Sequence, residues 1–225
     1  MPQAATIQPT SGGPFLQVDP THQAGRISIR PMEYGPRGGA YSIGSLSGIM
    51  AAGLAAASPV VCFRWAPTDN KTLALVRRVR FTAGNLGTAF TAGGIQINMF
   101  VARAFTVIDT GGAALTTSGN NAKRRSSFPP SQLTAGQIVV SATAALTAGT
   151  RTKDANPCGA IGTSIAATAG NIVVPMPGLL FDNGEAGKYP LVLAPQEGFC
   201  IEATVPATGT WTFAWDMDWD EVESY

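Results

Sequence analysis

Residues 188–222 read KYPLVLAPQEGFCIEATVPATGTWTFAWDMDWDEV. Past position 210 the side chains alternate with a period of two. Trp211, Phe213, Trp215, Met217 and Trp219 fall on one side, and Thr212, Ala214, Asp216, Asp218 and Asp220 on the other. Successive side chains of a strand point to opposite faces, so this run is a half-buried strand. Phe199, Ile201, Ala203 and Val205 keep the same rhythm just before it. Between the two runs, Ala207-Thr208-Gly209 reads as a three-residue hairpin loop whose glycine supplies the left-handed residue. The expectation is a core hairpin built on Phe199, Ile201, Trp211, Phe213, Trp215 and Trp219, holding three of the four tryptophans of the chain.

Strand signals recur outward from this hairpin. They cover 26–30 (RISIR), 60–65 (VVCFRW), 73–82 (LALVRRVRFT), 95–105 (IQINMFVARAF), 137–142 (QIVVSA) and 171–174, with 179–181 and 189–194 leading into the final run. Residues 40–58 stay open between a close-packed loop and a short helix. Alanine favours helix there, but Gly44, Gly48 and Gly53 each cost up to ~1 kcal/mol against it. Residues 106–170 are dominated by Thr, Ala, Gly, Ser and Asn. A loop of that length inside one domain is either ordered by neighbouring subunits or carries weak, flat strands. Eight to ten strands with glycine-rich connections point to an all-β, jelly-roll-like β-sandwich with long Ala/Gly/Thr-rich loops. Residues 1–23 form an extended, Pro/Gly-punctuated N-terminal arm, and 24–225 one domain with a loop-rich insertion at about 106–170.

A chain of 225 residues can bury a full core. Only 13% of it is charged, against about 25% for an average soluble domain. A low-charge surface rich in small residues fits one covered by other copies or by a shell. The net charge of +1 gives no basic field for nucleic acid, so no specific nucleic-acid partner is expected. The most apolar stretch, 43–57, is glycine-interrupted and too short to span a bilayer, so no membrane partner is expected either. Residues 1–13 lack the charged and apolar regions of a signal peptide, which predicts folding in a cytosol. Cys62, Cys158 and Cys200 match no zinc spacing, and their odd number argues against a disulfide framework, so they are read as buried free thiols.

Asp216, Asp218 and Asp220 form D-x-D-x-D, but the glycine and glutamate of a calcium loop are missing, and on a strand the carboxylates sit too far apart to share one ion. They read instead as an acidic edge, where Asp218→Asn should leave folding nearly intact. Lys123-Arg124-Arg125 is the only basic cluster. It is expected to bridge to that acidic edge on a neighbouring copy in a homo-oligomer. His22 is the only histidine, and no nucleophile or base assembles around it. Gly187-Lys188 lacks the rest of a phosphate loop. Glu197 and Glu202 stand out in no way as a carboxylate pair. No metal, cofactor or reaction chemistry is expected.

The run 190–222, together with NMFVARAFTVIDTGGAALTTSGNNAKRRSSF (98–128) and TAALTAGTRTKDANP (143–157), resembles virion proteins of tailed bacteriophages. The shared features are L-x-L-x-x-x-E-G-F, a short turn, T-G-T-W and an acidic, aromatic finish. The resemblance implies a structural β-sandwich of the particle and transfers no functional residue. The expected role is a capsid decoration (cement) subunit in the virion. It would bind the major capsid protein lattice, or another virion protein, as a homo-oligomer, with a trimer expected. A major capsid, neck, collar or tail component is the structural alternative. A carbohydrate-binding or carbohydrate-cleaving surface module is the other, and it would need Trp65 and Trp211 exposed as a stacking platform.

Overall fold

The computed structural model describes residues 38–223 apart from 52, 55, 86, 168–171, 175–177 and 184–188. The chain divides into two units, Met1–Glu33 and Tyr34–Tyr225, and only the second contains described residues. The expected N-terminal arm and the strand at 26–30 therefore lie outside the described residues.

Among the described residues there is no helix. The strands run β1 (Gly39–Leu46), β2 (Met50–Ala51), β3 (Ser58–Trp65), β4 (Leu73–Asn85), β5 (Gly93–Val107), β6 (Ala113–Ala114), β7 (Ile138–Val140), β8 (Thr150–Lys153), β9 (Gly159–Ile165), β10 (Ile172–Val174), β11 (Leu179–Asp182), β12 (Leu191–Leu193), β13 (Glu197–Thr204) and β14 (Thr210–Val222). They form two antiparallel sheets. In the first, β14 lies between β1 and β4, with β2 also along β14 and β10, β11 and β12 along the far edge of β4. In the second, the order is β6-β7-β3-β13-β5, with β8 and β9 along the far edge of β5.

The pairing has a simple rule. The first long strand pairs with the last (β1 with β14), the second with the second last (β3 with β13), β4 with β10 to β12, and β5 with β9. That is one antiparallel ribbon rolled so that alternate pairs fall into opposite sheets, the winding of a jelly-roll sandwich.

The rolled ribbon corrects the expected hairpin. β13 and β14 do not pair; they belong to opposite sheets, and residues 205–209 arch from one to the other. The physical reason is that β13 is flanked by β3 and β5, and β14 by β1 and β4, so both main chains are bonded on both sides. Their apolar faces then meet across the core instead of lying side by side. Pro206 offers no N–H to a ladder, and Gly209 takes the left-handed backbone the arch needs, at φ +111°.

Two other segments, left open above, carry strands. Between 40 and 58 the described residues hold no helix; strands β1 and β2 follow the edge of β14, and the described residues between and after them up to 57 are in no strand. Small residues suit that place, because Ala40, Ser42 and Gly44 stand opposite Asp220, Asp218 and Asp216 on the outer face. Residues 106–170 contain the end of β5 and the short strands β6 to β9, all paired within the second sheet.

The core lies between the sheets. Trp211, Phe213, Trp215, Met217 and Trp219 face Phe63, Trp65, Phe199 and Ile201, and all are buried. Tyr41 stacks on Trp219 at 5.3 Å, Phe81 on Phe213 at 4.9 Å, and Phe63 reaches across to Trp219 at 6.3 Å. The Trp65 indole N–H donates to the Thr72 carbonyl at 2.7 Å.

The inward alternation of β14 continues one step too far. Glu221 is next on the tryptophan side and is fully buried. Its carboxylate accepts from Ser131 Oγ at 2.5 Å, Gln132 N at 2.8 Å and Trp219 Nε1 at 3.1 Å. Burial still dominates and pushes its pKa up from 4.5 to about 7. A carboxyl whose pKa is raised on folding contributes stability that is fully present below 4.5 and is lost as pH rises through 7. The wild type should therefore lose about 3 kcal/mol across that window. Glu221→Gln should lack this component, and the difference between the two pH–stability curves, measured by urea titration, isolates it.

Candidate functional site

The outer face of the first sheet holds the residues singled out from the sequence. Asp216, Asp218 and Asp220 project outward from β14, opposite the arginines of β4. Arg80 Nε donates to both oxygens of Asp216, at 2.9 and 3.0 Å. Arg78 reaches Asp218 at 2.6 Å, and Arg77 reaches Asp220 at 2.6 Å. The register shifts after Asp218, so that Asp218 stands opposite Arg78 and Trp219 opposite Val76. Arg77 is the extra residue of a β-bulge. It shares the outer face with Arg78 while Val76 and Val79 both stay in the core.

Arg124 closes the ladder from the other side. Its backbone N–H donates to Ala40 O at 3.0 Å, and its guanidinium ion-pairs with Asp218 over the small residues of β1. Arg124 and Asp218 thus meet within one chain, where the sequence reading placed their contact between subunits. The segment from 122 to 124 follows β1 directly in space, so the intrachain pair forms at little entropic cost. Lys123 Nζ donates to Asn120 at 3.1 Å, and Arg125 is exposed. The Asp218 side chain retains only 10% exposure and takes two arginines. Asp218→Asn should therefore cost about 1–2 kcal/mol rather than almost nothing, read as a lowered urea midpoint. Asp218→Ala should cost at least as much.

A second polar cluster, not anticipated from the sequence, sits on the outer face of the second sheet. The segment between β5 and β8 folds back over that face and buries Phe105, Val139 and Leu146 with Cys62. Ala104, at φ +45°, breaks the alternation of β5 and places Phe105 on this outer side. Arg151 of β8 lies over the Phe105 ring at 5.2 Å and ion-pairs with Asp109. Both side chains are nearly dry, at 5% and 0% exposure. Gly149 N also donates to Asp109 Oδ1, at 2.8 Å. No larger residue fits there, since a Cβ on Gly149 would lie 1.9 Å from the Val107 carbonyl oxygen. Beside this pair, Lys153 Nζ donates to Glu202 Oε1 at 2.6 Å and rests over the Phe100 ring at 4.7 Å.

An open pocket of about 300 Å3 is lined by Ala57, Pro59, Ala148, Gly149, Arg151, Lys153 and Glu202. Cys62 and Cys200, direct cross-strand neighbours, lie fully buried under the cluster. Burial pushes the Cys200 thiol up to about 11 and drives Cys62 well above its usual range. Both therefore stay protonated near neutrality and are poor nucleophiles. Cys158 departs from the expected buried thiol: it is exposed.

No family model, curated protein or solved structure matches this chain. What the arrangements can do thus rests on their geometry. The first is a structural ladder of four arginines on three aspartates. The second holds donors and acceptors at the rim of a pocket. Trp65 and Trp211, the platform a stacking carbohydrate module would need, are both fully buried. Among the described residues no cluster of His, Cys, Asp and Glu is placed to hold a metal ion. Sequence reasoning missed Asp109, Arg151, Lys153 and Glu202 because pairs 40 or more positions apart leave no local period.

Proposed function

We propose that the chain is a structural subunit of a tailed-phage particle, a decoration protein that joins its own copies and a capsid lattice. The resemblance of its C-terminal half to virion proteins supports the reading, and one observation carries it. Among the described residues, the outer edge of β1 and β2 is tied at Ser42 and at Ala51, and exposed apolar side chains stand between the ties. Ser42 N donates to Ala122 O at 2.7 Å and Ala51 N to Thr143 O at 3.3 Å. Between those ties Leu46 is 77% and Ile49 57% exposed. An open strand edge bearing apolar side chains is a pairing surface, and a subunit of an assembly is the kind of protein that keeps one.

Light scattering on the purified protein, followed by electron microscopy of particles made with and without it, tests the reading. A stable oligomer, together with heads that form without the protein but burst more easily, is the expected result. The double variant Leu46→Lys, Ile49→Lys should fold yet fail to bind heads. Heads that never form without the protein would make it the main shell subunit, and intact, fully stable heads lacking it would overturn the decoration role.

A further inference from the structure

We propose that Cys62 and Cys200 are a dithiol pair that closes to a disulfide when the chain meets a low-molecular-weight disulfide such as oxidised glutathione, tying β3 to β13. The inference does not depend on the virion reading. The two cysteines stand directly opposite each other in the β3–β13 ladder, and both thiols are free in this structure. The ladder on the other side of β3 shows which kind of pair they form. Arg64 N donates to Gln137 O at 2.9 Å, and Ser141 N donates to Val60 O at 2.8 Å. The backbone polar groups of 60, 62 and 64 therefore point at β7, and those of 61, 63 and 65 at β13. Trp65 O agrees, accepting from Gln196 N at 2.8 Å. Cys62 and Cys200 are thus a non-hydrogen-bonded pair, the kind in which opposed side chains come closest. The Cα atoms of such a pair lie about 4.5 Å apart, inside the roughly 4.4–6.8 Å that a disulfide spans.

Both side chains stand on the outer face of the second sheet. Cys62 packs there with Phe105, Val139 and Leu146, and the Cys200 thiol points at Glu202 Oε1, 3.9 Å away on the same face. The segment between β5 and β8 covers them, and both are fully buried. Burial above all raises the pKa of both thiols, so neither reacts readily while the cover is closed. Oxidation proceeds through local opening of that cover, without separation of the sheets. One cysteine thiolate attacks a sulfur of oxidised glutathione, forming a mixed disulfide and releasing one glutathione thiolate. The other cysteine thiolate attacks the protein sulfur of that mixed disulfide and expels the second glutathione. Two electrons pass from the cysteines to oxidised glutathione, and the two thiol protons end on the two glutathione thiols. The new bond joins strands already held in register, so it acts mainly on the unfolded chain, where it closes the long loop from 62 to 200.

The test uses the full chain carrying Cys158→Ser, which removes the exposed thiol, incubated with oxidised glutathione in urea well below the unfolding midpoint. The intact mass should fall by two hydrogen atoms with no glutathione retained, and non-reducing peptide mapping should show the Cys62 and Cys200 peptides joined. The reaction should run several-fold faster than without urea, because the cover opens before the sheets do. The cross-linked chain, returned to buffer, should melt about 5–15 °C higher, and dithiothreitol should restore the starting value. Cys62→Ala and Cys200→Ala in the same background should each lose both the cross-link and the shift. The proposal fails if both thiols still take up iodoacetamide, added with denaturant, after that incubation. It fails equally if glutathione stays attached to either cysteine as a stable adduct, or if the cross-linked chain melts no higher than the reduced one.

Discussion

Trp215→Ala is expected to lower the unfolding free energy by ~3–5 kcal/mol. Trp215 sits at the middle of β14, between Ser45 of β1 and Phe81 of β4, and is 2% exposed. Removing the indole opens a void beneath both sheets. The neighbours cannot collapse into it easily, because β14 is bonded along both edges and its inward side chains are spaced by the pleat. Urea denaturation read by far-UV circular dichroism measures the change. Trp215→Phe serves as the graded control. The Trp215 N–H is buried without a partner, so the phenyl ring gives up volume but relieves an unsatisfied donor, and its loss should be clearly smaller than that of alanine. A cost below about 1 kcal/mol for Trp215→Ala would place the residue outside the core.

The strand containing Trp215 was legible because its alternation is local. Period two reports which face of a strand is buried, and residues 211–219 state it without a break. The same local signal says nothing about which sheet a strand joins. For that reason the two runs around Gly209 read as a hairpin although they lie in opposite sheets. The choice is made by β1, β3, β4 and β5, all far upstream in sequence, which flank the two strands. The bulge at Arg77 was not read from the sequence, because only the structure shows Val76 and Val79 both in the core. Glu221 was not singled out either, although it is the next odd position after Trp219. The strands β1 and β2 were hidden by composition: glycine and alanine argue against a strand by propensity, yet on this edge they leave room for Arg124 to reach Asp218. The insertion was hidden for another reason. Its order comes from single contacts to distant residues, such as Gly149 and Arg151 to Asp109, which no window of sequence contains.

Arg151→Met should be about as damaging as the loss of Trp215, and for a different reason. The methionine chain replaces most of the packing of the arginine over Phe105, so the cavity contribution is small. What it leaves behind is the Asp109 carboxylate, fully buried, with Gly149 N at 2.8 Å as its remaining donor. Removing one partner of a buried ion pair costs roughly 3–5 kcal/mol, because the other charge stays desolvated and unpaired. The loss should appear first in the covering segment between β5 and β8, as faster proteolytic nicking there, before the two sheets separate. The double variant Arg151→Met, Asp109→Leu separates this explanation from a packing defect. With both charges gone there is nothing left to solvate, and most of the stability should return. If the double variant were instead as unstable as the sum of its two single variants, the two side chains would not be coupled. Arg151 would then act by packing alone, and the covering segment would be held in place by Phe105, Val139 and Leu146 rather than by the ion pair.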